Sequence, residues 1–436
     1  MEFAIVKRLL IRLGVILGLL RAVAFGGDPA GPLELKDGDR VVLIGGTLVE
    51  RDQESGYLET RLIRRYPGRS IVFRNLGWSG DTVDGISRGE SLGSGAGFRQ
   101  LVDHVVALKP TVIVLGYGAN ESFGGQAGLP AFQAGLDRLW DELARTGARM
   151  VVLTPNRQEN LGPPLPDPGA HNADLRRYRD LLWSEAARRG AIGVDLFLAP
   201  PNQRPWTTNG IHLSPSGYWQ ASGLIAPALS GTPVAPWRVA IEGGKVTATS
   251  ATVSDLTPTP TGLKFQLRPD FLPDPPFPFT NDEWVNPQQP YRLLQVTGLD
   301  PEFFYNLKID GQQRHGGNLK AWKGGIIVLN DPELAHVEAL RKEINRKNLM
   351  YFHRWRPQNE TYLFGFRKHE QGKNAAELAA FDPLIAAAEA EIVRLSRPVA
   401  HSYELIRTPE PNPAPVVPAV AHSQEPIRMP KREVPR

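Results

Sequence analysis

Four short polar stretches hold the residues that could do chemistry: Gly45-Gly46-Thr47, Ser79-Gly80-Asp81-Thr82, Gly118-Ala119-Asn120-Glu121-Ser122 and Asn209-Gly210-Ile211-His212. Thr47 puts a hydroxyl where an apolar run gives way to a helix start. That place lies near the positive end of a helix dipole, on the edge where open α/β sheets bind ligands. Read alone, Thr47 serves equally as a helix N-cap. His212 falls in a turn just before an apolar helix and can project over the same edge, although a lone histidine is also a common structural residue. The chain has no cysteine. Thiol nucleophiles, disulfides, zinc–thiolate sites and iron–sulfur clusters are therefore excluded. None of its nine histidines forms a His-x-x-x-His pair, so no helical metal motif is present and no metal or cofactor is expected.

These residues need a scaffold that brings them together. Val41 to Ile44, Ile71 to Phe73, Val112 to Leu115, Met150 to Leu153 and Ala191 to Leu196 are apolar runs of buried-strand length. Helix patterns alternate with them, over Leu48 to Tyr66 and near 98–108, 130–146, 172–189 and 215–229. Alternation of this kind argues for a parallel, doubly wound sheet. Right-handed crossovers place all strand C-termini on one edge, so the corners at 45–47, 75–82 and 116–122 should face one crevice.

The 436 residues allow two or three domains. A composition 41% hydrophobic and 22% charged is that of a globular protein, and a net charge of +4 gives no argument for nucleic acid as a partner. Lys7, Arg8 and Arg12, the apolar stretch Leu13 to Leu20 and Ala22-Val23-Ala24 have the form of an export signal over residues 1–24. The expectation is an exported, periplasmic or extracellular protein with no stable membrane span once the signal is cleaved. An uncleaved N-terminal anchor is the alternative.

The four corners, in this order, resemble the SGNH/GDSL hydrolases, esterases on a flavodoxin-like three-layer α/β fold. The resemblance spans about residues 36–230. It implies that Thr47 stands in the place of the nucleophile, where the family has serine. It further implies that Gly80 and Asn120 supply the oxyanion hole and that His212 is the general base. Asn209 falls where the family has the aspartate that supports the histidine. An asparagine there cannot stabilise an imidazolium as a carboxylate does, and in a serine-protease triad that replacement costs about 10⁴ in kcat. Asn209 could instead orient a neutral His212, or Glu121, Asp81 or Glu50 could supply the missing carboxylate, or hydrolysis has been lost and the crevice only binds. Ser79 and Ser122 are further hydroxyls that read as corner hydrogen-bonders. Asn75-Leu76-Gly77-Trp78-Ser79-Gly80-Asp81 and Asn120 to Gly125 look like a divergent exported set from planctomycete-type bacteria, in which threonine stands in the nucleophile block. The substrate implied is an acylated small molecule or polysaccharide, with carbohydrate deacetylation as the narrower form. A glycan- or envelope-binding protein without catalysis is the alternative.

Beyond Thr232 the pattern changes. Short alternating runs at 239–241, 246–249, 262–267, 292–296 and 305–309 suggest a β-rich module over 232–328, with a proline-dense loop from Pro269 to Pro278. Such a module could bind carbohydrate or serve as a packing or lid module. A helical hairpin is expected over 331–399, from Glu333 to Asn348 and from Ala375 to Leu395. Between its helices, Arg354, Arg356, Arg367 and Lys368 are interleaved with His353, Trp355, Tyr362 and His369. That stretch suits an anion- or sugar-binding surface, closure over the crevice, or the docking of the hairpin onto the first domain through ion pairs. A proline-rich tail over 408–436 should be disordered or polyproline-like.

Overall fold

The computed structural model describes residues 29–88, 95–198, 205–231, 234–278, 291–328, 331–357, 363, 365–370 and 374–408. The expected leader at 1–24, the tail beyond Thr408 and Tyr362 lie outside them. The chain divides into two compact units. The first comprises Met1–Val234, Leu272–Trp284 and His336–Arg397; the second comprises Ala235–Phe271, Val285–Ala335 and Pro398–Arg436.

The first unit is built on five parallel strands: β1 (Arg40–Gly45), β2 (Val72–Asn75), β3 (Val112–Gly116), β4 (Arg149–Leu153) and β5 (Ile192–Val194). Their spatial order is β2-β1-β3-β4-β5, the flavodoxin-like order. The run Val41 to Ile44 is apolar throughout because both faces of the sheet are covered. Val41 and Leu43 join one core layer with Leu58, Leu62, Val112 and Val114. Val42 and Ile44 join the other with Leu101, Ile113, Leu136 and Leu182. Complete burial of one such side chain contributes roughly 1.5–3 kcal/mol.

The single helix expected from Leu48 to Tyr66 is instead two, α1 (Thr47–Ser55) and α2 (Tyr57–Ile63). Gly56 between them takes φ 65°, a left-handed conformation that ends α1 and that a side chain would disfavour. The following helices are α3 (Ala96–Ala107), α4 (Gly125–Ala144), α5 (Gly169–Arg188) and α6 (Pro215–Ile225). Two more belong to the unit, α7 (Pro332–Trp355), from His336 onward, and α8 (Phe381–Leu395). Their pairing is antiparallel: Arg354 binds Asp382 at 2.8 Å, Tyr351 and Ile385 share one core layer, and Ile344 and Ile392 share the other. The hairpin thus packs into the first unit rather than forming a segment apart. Lys347 of α7 is fully buried and bonds Glu59 of α2 at 2.8 Å. Arg356 pairs with Glu50, and its guanidinium lies 3.6 Å from the centre of the Trp78 ring. Arg367 pairs with Glu370 at 2.8 Å. Arg356 thus ties this stretch to α1 and Arg354 joins α7 to α8, whereas the Arg367–Glu370 pair is local.

The second unit contains β6 (Arg238–Glu242), β7 (Lys245–Thr249), β8 (Ala251–Thr259), β9 (Gly262–Pro269), β10 (Leu293–Val296), β11 (Phe304–Ile309), β12 (Gln312–Gly317), β13 (Ile326–Ile327) and β14 (His401–Thr408). They form sheets ordered β13-β10-β6-β7 and β12-β11-β14-β9-β8 around Trp237, Phe265, Leu307, Trp322 and Tyr403. The module is therefore not confined to 232–328, because β14 pairs with both β9 and β11. Nor did the sequence reading include β8. Its Pro258 tells against a central strand, but β8 is an edge strand, where proline is tolerated.

Candidate functional site

The order of the sheet reverses between β1 and β3, and in doubly wound folds that switch point opens a crevice at the strand C-termini. Gly45 ends β1 opposite Gly116, which ends β3. A Cβ on Gly45 would lie 2.4 Å from the Gly116 carbonyl oxygen, so only glycine allows the two ends to approach this closely. Thr47 then occupies the first position of α1, where the backbone N–H has no partner within the helix. Its hydroxyl is not used as the cap, because Gly46 is the N-cap residue.

Thr47, Gly80, Asn120 and His212 line one pocket of about 240 Å³, together with Asn156, Gln158, Phe123, Leu175, Ile211 and Tyr218. The loops after β2 and β3 are tied to each other twice. The Asn120 side-chain amide donates to the Gly80 carbonyl at 2.8 Å. Glu121 accepts the Val83 N–H at 2.9 Å through one oxygen and the Gly118 N–H at 2.8 Å through the other. Enclosure of that carboxylate outweighs these two donors and pushes its pKa up to about 7.

The loop carrying His212 is fixed from below and from within. Glu159, after β4, accepts the backbone N–H groups of Trp206 and Thr207, each at 2.8 Å, and the Thr207 hydroxyl at 2.6 Å. Ser214 caps α6 by accepting the Gly217 N–H at 3.1 Å. Asn209 Oδ1 accepts the N–H groups of His212 at 2.9 Å and Ile211 at 3.2 Å. The amide orientation follows from those two contacts, and it leaves Nδ2 facing His212 Nδ1 at 3.1 Å. An imidazole nitrogen that accepts a hydrogen bond carries no proton, so the neutral ring holds its proton on Nε2. Burial first, and the nearby Arg51 cation second, lower the His212 pKa and keep the ring neutral.

The other carboxylates considered for His212 are committed elsewhere. Asp81 bonds Arg88 at 2.7 Å and the Tyr117 hydroxyl at 3.0 Å. Glu50 binds Arg356 and Ser79. Among the described residues no carboxylate bonds His212, and the Thr47 hydroxyl makes no hydrogen bond to it. Ser79 is held by Glu50; Ser122 is buried and donates to the Ala119 carbonyl at 2.6 Å. Both are corner hydrogen-bonders. Sequence reasoning missed Glu159 and Phe123; each follows a strand C-terminus, the position at which the other site residues were found. Among the described residues no group of three or more histidines and carboxylates is arranged to hold a metal, and no helix is long and apolar enough to cross a membrane.

No curated protein sequence matches the chain. A gut microbial diltiazem-metabolizing enzyme has the same fold at 14% identity and a TM-score of 0.66, over 87% of this chain and 99% of that chain. An α/β hydrolase from the metagenome of Lake Arreo, Spain, is 24% identical over 44% of this chain and 96% of that chain, with a TM-score of 0.35. An acetylxylan esterase from Geobacillus stearothermophilus is 17% identical over 46% of this chain and 98% of that chain, with a TM-score of 0.36. Residues 43–220 match the model of one family, and they hold the 2-1-3-4-5 sheet and the pocket just described. That model, matched over residues 43–220, is that of the GDSL-like lipase/acylhydrolase family.

Proposed function

We propose that the crevice hydrolyses esters with a short acyl group. The reading rests on one observation: Thr47, Gly80, Asn120 and His212 line a single pocket. Its volume of about 240 Å³ is below the range of drug-sized sites and suits a small acyl group. In this reading Thr47 Oγ1 attacks the acyl carbon and its proton passes to His212 Nε2. The carbonyl oxygen, now an oxyanion, takes hydrogen bonds from the Gly80 and Thr47 N–H groups and the Asn120 amide. His212 returns the proton to the departing alcohol. Water then repeats the attack, frees the acid and restores Thr47. Acylated small molecules and acetylated polysaccharides are the substrates of this class, and the leader-like residues 1–24 support work outside the cytoplasm.

One observation favours a second reading, in which the crevice binds an acylated ligand without cleaving it. With the Asn209 amide donating to Nδ1, the Nε2 of His212 presents a proton rather than a lone pair to the pocket. Hydrolysis then has to proceed through the less favoured tautomer.

The test is hydrolysis of 4-nitrophenyl acetate and acetylated xylan by wild type, Thr47→Ala and His212→Ala. Activity in wild type that is lost in both variants supports the hydrolase. Activity unchanged in Thr47→Ala removes Thr47 as nucleophile. Absence of activity in wild type, with binding of acetylated xylan retained, supports the second reading.

A further inference from the structure

Phe123 is a large apolar side chain 67% exposed at the pocket. An exposed phenylalanine is ordinarily mobile, but this one is held. One face of its ring stacks on the imidazole of His171, with centroids 4.2 Å apart and planes at 25°. That imidazole is fixed in turn. The Ser122 hydroxyl gives its proton to the Ala119 carbonyl at 2.6 Å, so its lone pair meets His171 Nε2 at 3.2 Å and accepts the proton there. Burial lowers the His171 pKa, so the supporting ring is neutral. Leu175, one helical turn beyond His171 on α5, also lines the pocket. The result is a flat aromatic surface backed on one face and open on the other. Ile211, beside His212, is a second exposed apolar residue of the lining, at 45%. The amides of Asn156 and Gln158 lie in the same lining and can hydrogen-bond hydroxyl or ether oxygens.

We propose that Phe123 is a stacking platform that selects esters carrying a ring, aromatic or pyranose, against esters of open-chain alcohols. A supported aromatic face rewards a flat partner, through its π system or its C–H face, and gives much less to a flexible chain. Phe123 therefore determines specificity without taking part in the chemistry. The rate arm of the test rests on the ester-hydrolase reading; the binding arm does not.

The rate arm compares kcat/KM for 4-nitrophenyl acetate, acetylated methyl xyloside and ethyl acetate in wild type, Phe123→Ala and Phe123→Trp. The platform requires that the ratio of ring ester to ethyl acetate fall about fivefold in Phe123→Ala, through KM, and recover in Phe123→Trp. Loss confined to the aryl ester or to the xyloside identifies which ring the platform serves. An equal change for all three esters, or none, overturns the proposal. The binding arm measures saturation transfer to 4-nitrophenol and methyl xyloside in wild type and Phe123→Ala. Ring binding that disappears in Phe123→Ala supports the platform even where no ester is cleaved, a result that would overturn only the hydrolase reading. Ring binding unaffected by Phe123→Ala, or absent in wild type, overturns the platform. Because the side chain is mostly exposed, the variants should fold, which thermal unfolding checks.

Discussion

Asn209 meets His212 as a donor: its Nδ2 lies 3.1 Å from Nδ1, while its Oδ1 is occupied by two backbone N–H groups. A carboxylate in the same place would invert the relationship. In Asn209→Asp one oxygen keeps the backbone N–H groups and the other accepts a proton from Nδ1, which turns the Nε2 lone pair toward the pocket. The reverse change in a serine-protease triad costs about 10⁴ in kcat. Asn209→Asp should therefore raise the rate of 4-nitrophenyl acetate hydrolysis, by roughly 10²–10⁴ if the tautomer is the main restraint. A rate unchanged or lowered in a folded Asn209→Asp protein would show that the tautomer is not what limits the site.

The Asn120 amide spends one hydrogen on the Gly80 carbonyl and has a second available at the pocket. If that hydrogen stabilises the oxyanion, Asn120→Ala should lower kcat about 10²–10³-fold with little change in KM. A rise in KM alone would mean that Asn120 holds the ground-state substrate instead.

Glu121 connects pH to stability. Its folded pKa of about 7 lies above the ordinary carboxylate value of 4.5. A raised folded pKa favours the native state below the unfolded value, and that benefit is lost as pH rises through the folded one. Glutamine, which stays neutral, should lack this dependence. Relative to wild type, Glu121→Gln should gain stability between about pH 5 and pH 8, read from urea unfolding across that window. Parallel curves for the two proteins would refute the assignment.

The buried pair of Lys347 and Glu59 joins α7 to α2. Burial pushes the Glu59 pKa up and the Lys347 pKa down, so each group depends on the other to remain ionised. Lys347→Ala leaves an uncompensated buried carboxyl and should destabilise the protein by about 3–5 kcal/mol. The double variant Lys347→Met, Glu59→Gln should recover most of that loss. Urea unfolding of the two proteins gives the comparison, and equal destabilisation of both would locate the effect in packing rather than charge.

The parallel sheet was legible because Val41 to Ile44 and Val112 to Leu115 are buried on both faces and so apolar at every position. The crevice was legible because glycine- and polar-marked corners fall at strand ends. The break at Gly56 was not, since Leu58, Leu62 and Ile63 keep helical spacing beyond it and no proline marks the site. Asn209 was named from the family resemblance, as the residue in the place of the aspartate, but the direction of its amide depends on two backbone N–H groups that only the folded turn brings near. Glu159 was missed because it acts on a loop more than forty residues later, at Trp206 and Thr207. β14 was missed because its partners, β9 and β11, are distant in sequence, and the proline-rich tail follows directly after it.

The place of β14 has a consequence for synthesis. Residues 401–408 fill the middle of a five-stranded sheet whose other strands lie between 251 and 317. Until that late segment leaves the ribosome, β9 and β11 each present an unpaired edge, the kind of surface that recruits other chains. The second unit therefore cannot finish folding as it emerges, and its nascent form is the stage most exposed to aggregation. A chain stopped at Arg397 should remain caught at that stage; a soluble truncated chain with a protease-resistant second unit would show that the sheet closes without its central strand.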